Sequence, residues 1–548
     1  MSEKQNKRKQ SLLIGALTGS FGIFISKVLG LFYVVPLNSL AGEGNMVFYS
    51  IAYTYYDLLL KISSVGIPFA IAALVAKYYA RNDYKTVLLV KKLGSSILLL
   101  SGFIIAVTFL SVSKPLATMA MGSMASAEDV NSLYNLFKIL AVALVLVPFL
   151  SSLRGYYQGL KEMTSYAASQ VLEQFVRVFN IIFLGYIFVV VLNFDSIYAI
   201  YMAMISACLG AAAAIIYFLI AKRKDDEALK RLAAEQEGDS ELTKKAIFNE
   251  MLSLGVPYLV ISFLGVTSTL INSNFFMGYA ASVGIPYEEA KLVLGILQVN
   301  CNKIAAIPQV LTIGFSAGLV PYITEAFERH DLEKLRKHIN DILKTVLFIL
   351  IPLTVWIFIY AKPIYYIMYG NANLDFAAQL FAVSCLTILT ETIAPIISST
   401  CITLRQNKQT IVSLLIGTVI KFISFFIFIR MFGSYGLILS TALASAVVIL
   451  FNLFILRANY QVHYGILLRN ILFMVIFALI SAAPLLLNLM GLGFVYNNRF
   501  LCIVILGIYG LMSLGIYIVL SNHFGLLQSA LNMDLRQFTN RIMNKIHK

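Results

Sequence analysis

Seven basic residues stand inside long apolar stretches: Lys27, Lys61, Lys138, Arg177, Lys303, Lys344 and Lys421. A charge in hydrocarbon is expensive, so ionisable groups placed there normally serve a pathway or a binding site. Lys138 and Lys344 lie near the ends of their stretches and can snorkel to water. The other five lie deeper. Asp57 precedes Lys61 by four residues, and Glu173 precedes Arg177 by four. A helix puts each pair on one face, where it can form an ion pair. Such a pair is compatible with a structural role or a functional one. Lys27, Lys303 and Lys421 have no acidic residue at that spacing, and Glu391 could answer only one of them. The buried balance is therefore cationic. Lysines lining a cavity suit a multivalent anion such as a diphosphate, because each ammonium offers a point charge and three donors. An exporter of cationic drugs would want the opposite sign. Snorkelling is the bland alternative for a lone lysine, and it fits Lys27 and Lys303 poorly because each has long span on both sides.

Polar side chains gather nearby. Thr267, Ser268, Thr269, Asn272 and Asn274 are followed by Gln298, Asn300 and Asn302. They read either as a wet cavity wall or as hydrogen-bonded glue between helices. Glycines and prolines interrupt the same region, at Gly66–Pro68, Gly255–Pro257, Pro308, Gly314, Gly318 and Pro321, where a helix can bend. No enzyme motif accompanies them: there is no P-loop, GxSxG or HExxH. The adjacent carboxylates Glu128/Asp129 and Glu288/Glu289 read as solvated loop charge. The five cysteines sit in apolar stretches, and the five histidines in polar loops or the tail. Neither set has metal-ligand spacing, and no cofactor is expected.

The elements that position these residues follow from composition. Of 548 residues, 59% are hydrophobic and 13% charged, with a mean hydropathy of +0.83. Soluble proteins carry about a quarter charged residues. A nucleic-acid binder with a solvated basic face and a string of soluble domains are both excluded. A bilayer core needs about 20 apolar residues per helix. About 14 stretches qualify, from 11–38 to 500–521, including 246–275, 408–429 and 434–456. The first is too long for a signal peptide and is expected to be a retained helix. With the N-terminus inside, 30 of the 42 basic residues fall in inner segments and 5 in outer loops. That asymmetry supports the alternation and puts both termini in the cytoplasm of a bacterial cell membrane. The net charge of +15 is thus mostly topology.

The chain repeats itself. GIPFAIAALVAKYYARND at 66–83 is echoed by GFSAGLVPYITEAFERHD at 314–331, a constant offset of 248. A weaker echo relates Lys161/Arg177 to Arg405/Lys421, at an offset of 244. The expected architecture is all-α and polytopic, with two pseudo-symmetric six-helix lobes and an appended helix pair. Its parts are an N-lobe at 1–221, a cytoplasmic linker at 222–245, a C-lobe at 246–458, an appended helix pair at 459–521 and an amphipathic tail at 522–548. Parallel repeats favour a transporter with a midplane site between two lobes that rock.

Several segments carry a resemblance: SKVLGL at 26–31 with Gly42-Glu43, KISSVGIP at 61–68, AKYYARNDYKT at 76–86, RGYYQGL at 154–160 and SQVLEQFVRV at 169–178. The chain resembles the multidrug/oligosaccharidyl-lipid/polysaccharide flippase superfamily, and within it the MurJ-type lipid II flippases of the Firmicutes branch, related to stage V sporulation protein B. The resemblance implies export of an undecaprenyl-diphosphate-linked peptidoglycan precursor to the outer leaflet. It also implies that the appended pair grooves the lipid tail, and that Lys27, Lys61 and Lys303 stand where the family carries cavity cations. All three are lysine here, which keeps the charge and loses the bidentate fork. A second span-1 arginine of the family falls on Tyr33, and a span-2 aspartate near Phe48.

The leading expectation is a lipid II flippase and not an enzyme. Its substrate-binding residues are Lys27, Lys61, Lys303, Arg177 and Lys421, and its cavity or structural polar residues are Asp57, Glu173, Asn272, Asn300, Asn302 and Glu391. Expected partners are the lipid-linked saccharide, membrane lipids and cell-wall synthesis proteins, with no nucleic acid. A flippase for another undecaprenyl-diphosphate glycan and a cation-coupled drug antiporter are the alternatives.

Overall fold

The computed structural model describes residues 29–531 apart from 31, 32, 65, 237–242, 310–322, 324, 328, 491 and 492. Lys27, Gly314, Gly318, Pro321 and most of the tail lie outside the described residues. Among those described there is no strand. The helices are α1 (Val34–Ala41), α2 (Met46–Ser64), α3 (Gly66–Ala80), α4 (Tyr84–Met121), α5 (Ala127–Gly159), α6 (Met163–Tyr186), α7 (Ile197–Ala221), α8 (Arg223–Glu235), α9 (Lys244–Leu264), α10 (Thr267–Ser282) and α11 (Tyr287–Gly295). There follow α12 (Leu332–Ile359), α13 (Ala361–Tyr369), α14 (Leu374–Thr403), α15 (Asn407–Phe432), α16 (Gly436–Tyr460), α17 (Gly465–Ser481), α18 (Arg499–His523) and α19 (Leu526–Leu531). After α11 a π-helical turn, Ile296–Cys301, leads on to Gln309.

Among the described residues, twelve segments are long and apolar enough to cross a membrane. One of them, Asn407–Tyr460, holds two helices, α15 and α16, joined by a 3-10 turn at Gly433–Tyr435. The chain is a multi-pass helical membrane protein. The expected count of 14 is not matched one for one, because the expected pair 408–429 and 434–456 falls in this one segment and most of 11–38 lies outside the described residues.

Two compact units emerge, 1–299 and 300–548. Within the first, α3 and α9 come close enough that a Cβ on Gly66 would collide with the Gly255 carbonyl oxygen. Only glycine permits that approach. The helix α9 runs without interruption through 255–257, where a bend was expected; the break comes later, at Gly265–Val266. In the second unit, α12 packs on α14, α17 and α18 through a core that includes Leu335, Val346, Met474 and Tyr517.

The sequence repeat has a structural counterpart in its turns. Asn82 (φ 60°) and His330 (φ 56°) both adopt the left-handed conformation. The next residue then caps a helix: Asp83 Oδ1 accepts from the Thr86 amide at 3.0 Å, and Asp331 Oδ1 from the Lys334 amide at 3.1 Å. Such caps satisfy amides that the first helical turn leaves open. Bonding to Lys334 also holds the Asp331 carboxyl below the usual carboxylate range. The weaker echo has the same character. Lys161 (φ 64°) and Arg405 (φ 60°) sit in turns closed by Glu162 N to Tyr157 O and by Gln406 N to Cys401 O, both 2.9 Å.

The charged linker is ordered where described. Its helix α8 lies against α4 and α5. Asp226 accepts from Lys91 Nζ at 2.6 Å and from the Tyr157 hydroxyl at 3.3 Å, while Leu229 and Ala233 are buried. Gln236 bonds both the Asp83 carboxylate and the Lys85 amide. Just before α8, Lys222 pairs with Glu162 (2.7 Å) and Asp225 (2.8 Å). Burial opposes the Lys222 charge, but these two carboxylates outweigh it and hold the ammonium above the ordinary lysine range.

Candidate functional site

In the first unit, α2 carries Asp57 and Lys61 as an i,i+4 ion pair of 2.7 Å. The pair forms as its spacing predicts. Lys61 remains 32% and Asp57 41% exposed although both lie in a membrane-crossing segment. An ammonium so placed keeps donors for a ligand.

Higher on the same helix, tyrosines recur at helical spacing. Tyr49 and Tyr53 stack at 5.7 Å, Tyr53 and Tyr56 meet at 5.8 Å, and the Tyr49 and Tyr33 hydroxyls hydrogen-bond at 2.6 Å. The Arg177 guanidinium, half-buried on α6, lies 5.8 Å from the Tyr56 ring centroid, a cation–π contact. The expected Glu173–Arg177 bridge is replaced. Glu173 pairs instead with Arg154 of α5 at 2.8 Å, and Arg154 also donates to Ser169 Oγ at 3.0 Å. Arg154 reaches this carboxylate from the neighbouring helix α5, whereas Arg177 approaches it only along its own helix. Glu173 still lies within electrostatic reach of Arg177.

The polar residues of α10 and of the π-turn after α11 divide between the two roles foreseen. Gln298 Oε1 accepts from Ser50 (2.9 Å), Thr54 (3.3 Å) and Ser273 (3.0 Å), a buried knot between α2, α10 and the π-turn. Asn274 accepts from the Tyr55 hydroxyl. These are glue. Asn272 and Ser268 differ: each keeps a buried oxygen without a hydrogen-bond partner. Buried oxygens of that kind are normally satisfied by water or a ligand.

In the second unit, Asn300 donates to the Tyr365 hydroxyl at 2.9 Å and its backbone carbonyl accepts from the Tyr369 hydroxyl at 3.1 Å, while its side-chain oxygen, like those of Asn272 and Ser268, is buried without a hydrogen-bond partner. Asn302 is exposed and Lys303 half-buried just beyond the π-turn. π-turns in α-helices are frequent at functional sites. Glu391 of α14 is half-buried. Lys421 is 0% exposed, and its Nζ reaches Ser440 Oγ (2.7 Å), Thr441 Oγ1 (2.8 Å) and Leu437 O (3.3 Å) of α16. Lys27 lies outside the described residues.

Sequence reasoning missed three contributors. Arg154 was read as a topology charge. Ser440 and Thr441 looked like ordinary helix hydroxyls. The tyrosines of α2 carried a visible signal in their spacing, at 49, 53 and 56, which went unused.

The comparisons with known proteins bear on this arrangement. Residues 12–327 match the family described as "Polysaccharide biosynthesis protein", and residues 294–427 match MatE. The chain is 27% identical over 538 residues to the lipid II flippase MurJ of Bacillus subtilis (strain 168), covering 96% of this chain and 98% of that protein. It is 26% identical over 368 residues to stage V sporulation protein B of the same organism, covering 67% and 68% of the two chains. Among solved structures, it is similar to a lipid II flippase MurJ in an inward closed conformation, with TM-score 0.65 and 18% identity over 93% of this chain and 98% of that one. It is also similar to an inward-facing multidrug resistance MATE family transporter, with TM-score 0.61 and 14% identity over 79% and 95%. The match to the first family spans more than half of the chain, and the fold is shared with MurJ and MATE. The chain belongs to the polysaccharide biosynthesis protein family.

Proposed function

We propose that the protein is a lipid-linked oligosaccharide flippase whose cargo is the undecaprenyl-diphosphate-linked peptidoglycan precursor, lipid II. The observation that carries this reading is Lys61: an accessible ammonium inside a membrane-crossing segment. Full-length similarity to a lipid II flippase supports the cargo.

In this reading Lys61 and Arg177 bind phosphoryl oxygens, and Lys27 and Lys303 are further substrate-binding cations. Asp57 holds the Lys61 ammonium until the anion arrives. The exchange frees the Asp57 carboxylate, which at 41% exposure can be solvated. The helix pair within 459–521 carries the polyprenyl tail. Both termini are cytoplasmic, and transport alternates access between the leaflets without covalent chemistry. Cell-wall synthesis proteins receive the cargo. The similarity to MATE transporters favours one other reading, a cation-coupled drug antiporter, but a cationic group suits an anion better.

The test is rescue of a bacterium depleted of its own lipid II flippase. The unmutated chain should restore growth, and Lys27→Ala, Lys61→Ala and Lys303→Ala should not, while all four chains reach the membrane at equal level. Failure of the unmutated chain would move the cargo to another diphosphate-linked glycan. Normal rescue by all three variants would overturn the cationic mechanism.

A further inference from the structure

Among the described residues, Lys421 is the one lysine in the second unit that is wholly enclosed. Its surroundings are specific. Ser440 Oγ donates its own hydrogen to the Leu437 carbonyl at 3.1 Å, and Thr441 Oγ1 does the same at 2.8 Å. Both hydroxyl hydrogens therefore point along α16, and the two oxygens turn lone pairs toward Nζ. The Leu437 carbonyl adds a third oxygen. Three lone-pair oxygens meet three N–H bonds, so the pocket fits an ammonium. A neutral amine would set its own lone pair against one of them. The Phe425 ring lies 5.5 Å from Nζ and adds a cation–π face. Among the described residues no carboxylate lies within ion-pair distance of Lys421, and the charge acting on it from a neighbouring helix is Glu391. Carbonyl and hydroxyl oxygens without a bound carboxylate are also what a small hard monovalent cation accepts.

We propose that Lys421 is a built-in cation: its ammonium permanently fills a monovalent-cation site formed by Leu437, Ser440 and Thr441 of α16, where a free ammonium or alkali ion would otherwise bind. The site needs the charge because Glu391 acts on it and because, among the described residues, the Ser440 and Thr441 hydroxyl oxygens have Nζ as their donor. Being covalent, the occupant does not dissociate, so the second unit keeps its α15–α16 seam in any salt. The inference is independent of the cargo assigned above.

The test uses full-length protein in detergent, melted in equal concentrations of ammonium, sodium, potassium and choline chloride. The unmutated chain should melt at one temperature in all four. Lys421→Ala should melt lower in choline and regain part of the loss in at least one small cation, in a saturable way, since a ligand that binds only the folded state raises the melting temperature with concentration. Adding Ser440→Ala and Thr441→Val to Lys421→Ala should erase that recovery. Where Lys421→Ala fails to fold, Lys421→Met keeps the methylene packing and is read in the same salts with the same outcome expected. Equal melting of the folded variant in all four salts would overturn the proposal. So would absence of both variants from the membrane even in high ammonium, sodium and potassium.

Discussion

Arg177 and Lys421 occupy corresponding places in the repeat, 244 residues apart, on helices that leave similar left-handed turns at Lys161 and Arg405. Each puts a cation in the middle of a span. Their surroundings have diverged. Arg177 is half-buried, lies over the Tyr56 ring and has Glu173 within electrostatic reach. Lys421 has no exposed surface and commits its three hydrogens to one turn of α16. The two positions thus share the sign of the charge, while access decides what it does. A cation with surface can serve a passing anion, whereas one without surface can only hold its own neighbours. Position in the sequence does not separate these roles. The neighbouring helix does.

The largest effect separates the two directly. Removing a partner from a buried charged arrangement costs about 3–5 kcal/mol, because the remaining groups stay buried without compensation. Lys421→Met, in choline, should fall in that range and melt far below the unmutated chain. Arg177→Met should lose less stability and more transport, since its guanidinium is half-buried and stacks on a ring. Comparable melting losses for the two variants would dissolve the distinction between them.

Arg154 sharpens it next. The Arg154–Glu173 pair is about 15% exposed on each side, so Arg154→Met strands a buried carboxylate beside Arg177. A stability loss of about 3 kcal/mol is expected, toward the lower end for a broken buried pair. The double variant Arg154→Met/Glu173→Gln should recover part of it, as a double-mutant cycle would show. This pair also marks what the sequence makes legible. The Asp57–Lys61 bridge could be read directly, because i,i+4 spacing fixes both partners on one helix. Glu173 had an equally good partner at i+4 and chose one on another helix, which no local pattern encodes. The lysine cage was hidden for the same reason: the hydroxyls that complete it are ordinary until α15 and α16 are packed. Most of the spans were legible because apolar length and charge alternation are properties of the chain alone. The break at Gly265–Val266 was not, since the breakers visible in the sequence, Gly255 and Pro257, lie inside the helix and the turn falls beyond them.

A smaller effect is expected at the linker. Composition alone gave a polar connector, but Asp226 ties α8 to Lys91 and Tyr157 with both ion-pair partners about three-quarters buried. Asp226→Asn keeps a hydrogen bond and removes the charge. A loss of about 1–2 kcal/mol follows from weakening a charge-assisted bond. Amide exchange should rise over 223–235 first. Unchanged exchange there would show that the buried Leu229 and Ala233 hold α8 without the carboxylate.

Lys61 closes the series with the smallest stability effect and the largest expected functional one. Its pair with Asp57 lies within one helix and is about one-third exposed. Pairs of that kind contribute about 0–1 kcal/mol, and solvent screening puts this one toward the lower end. Lys61→Ala should therefore melt within a degree or two of the unmutated chain, yet fail to rescue the depleted strain. Lys61→Arg should keep rescue, because the charge and the i,i+4 partner both survive. If Lys61→Ala melted as low as Lys421→Met, the exposed ammonium would be a structural element like the buried one, and accessibility would no longer tell a ligand-binding cation from a cation that holds the fold.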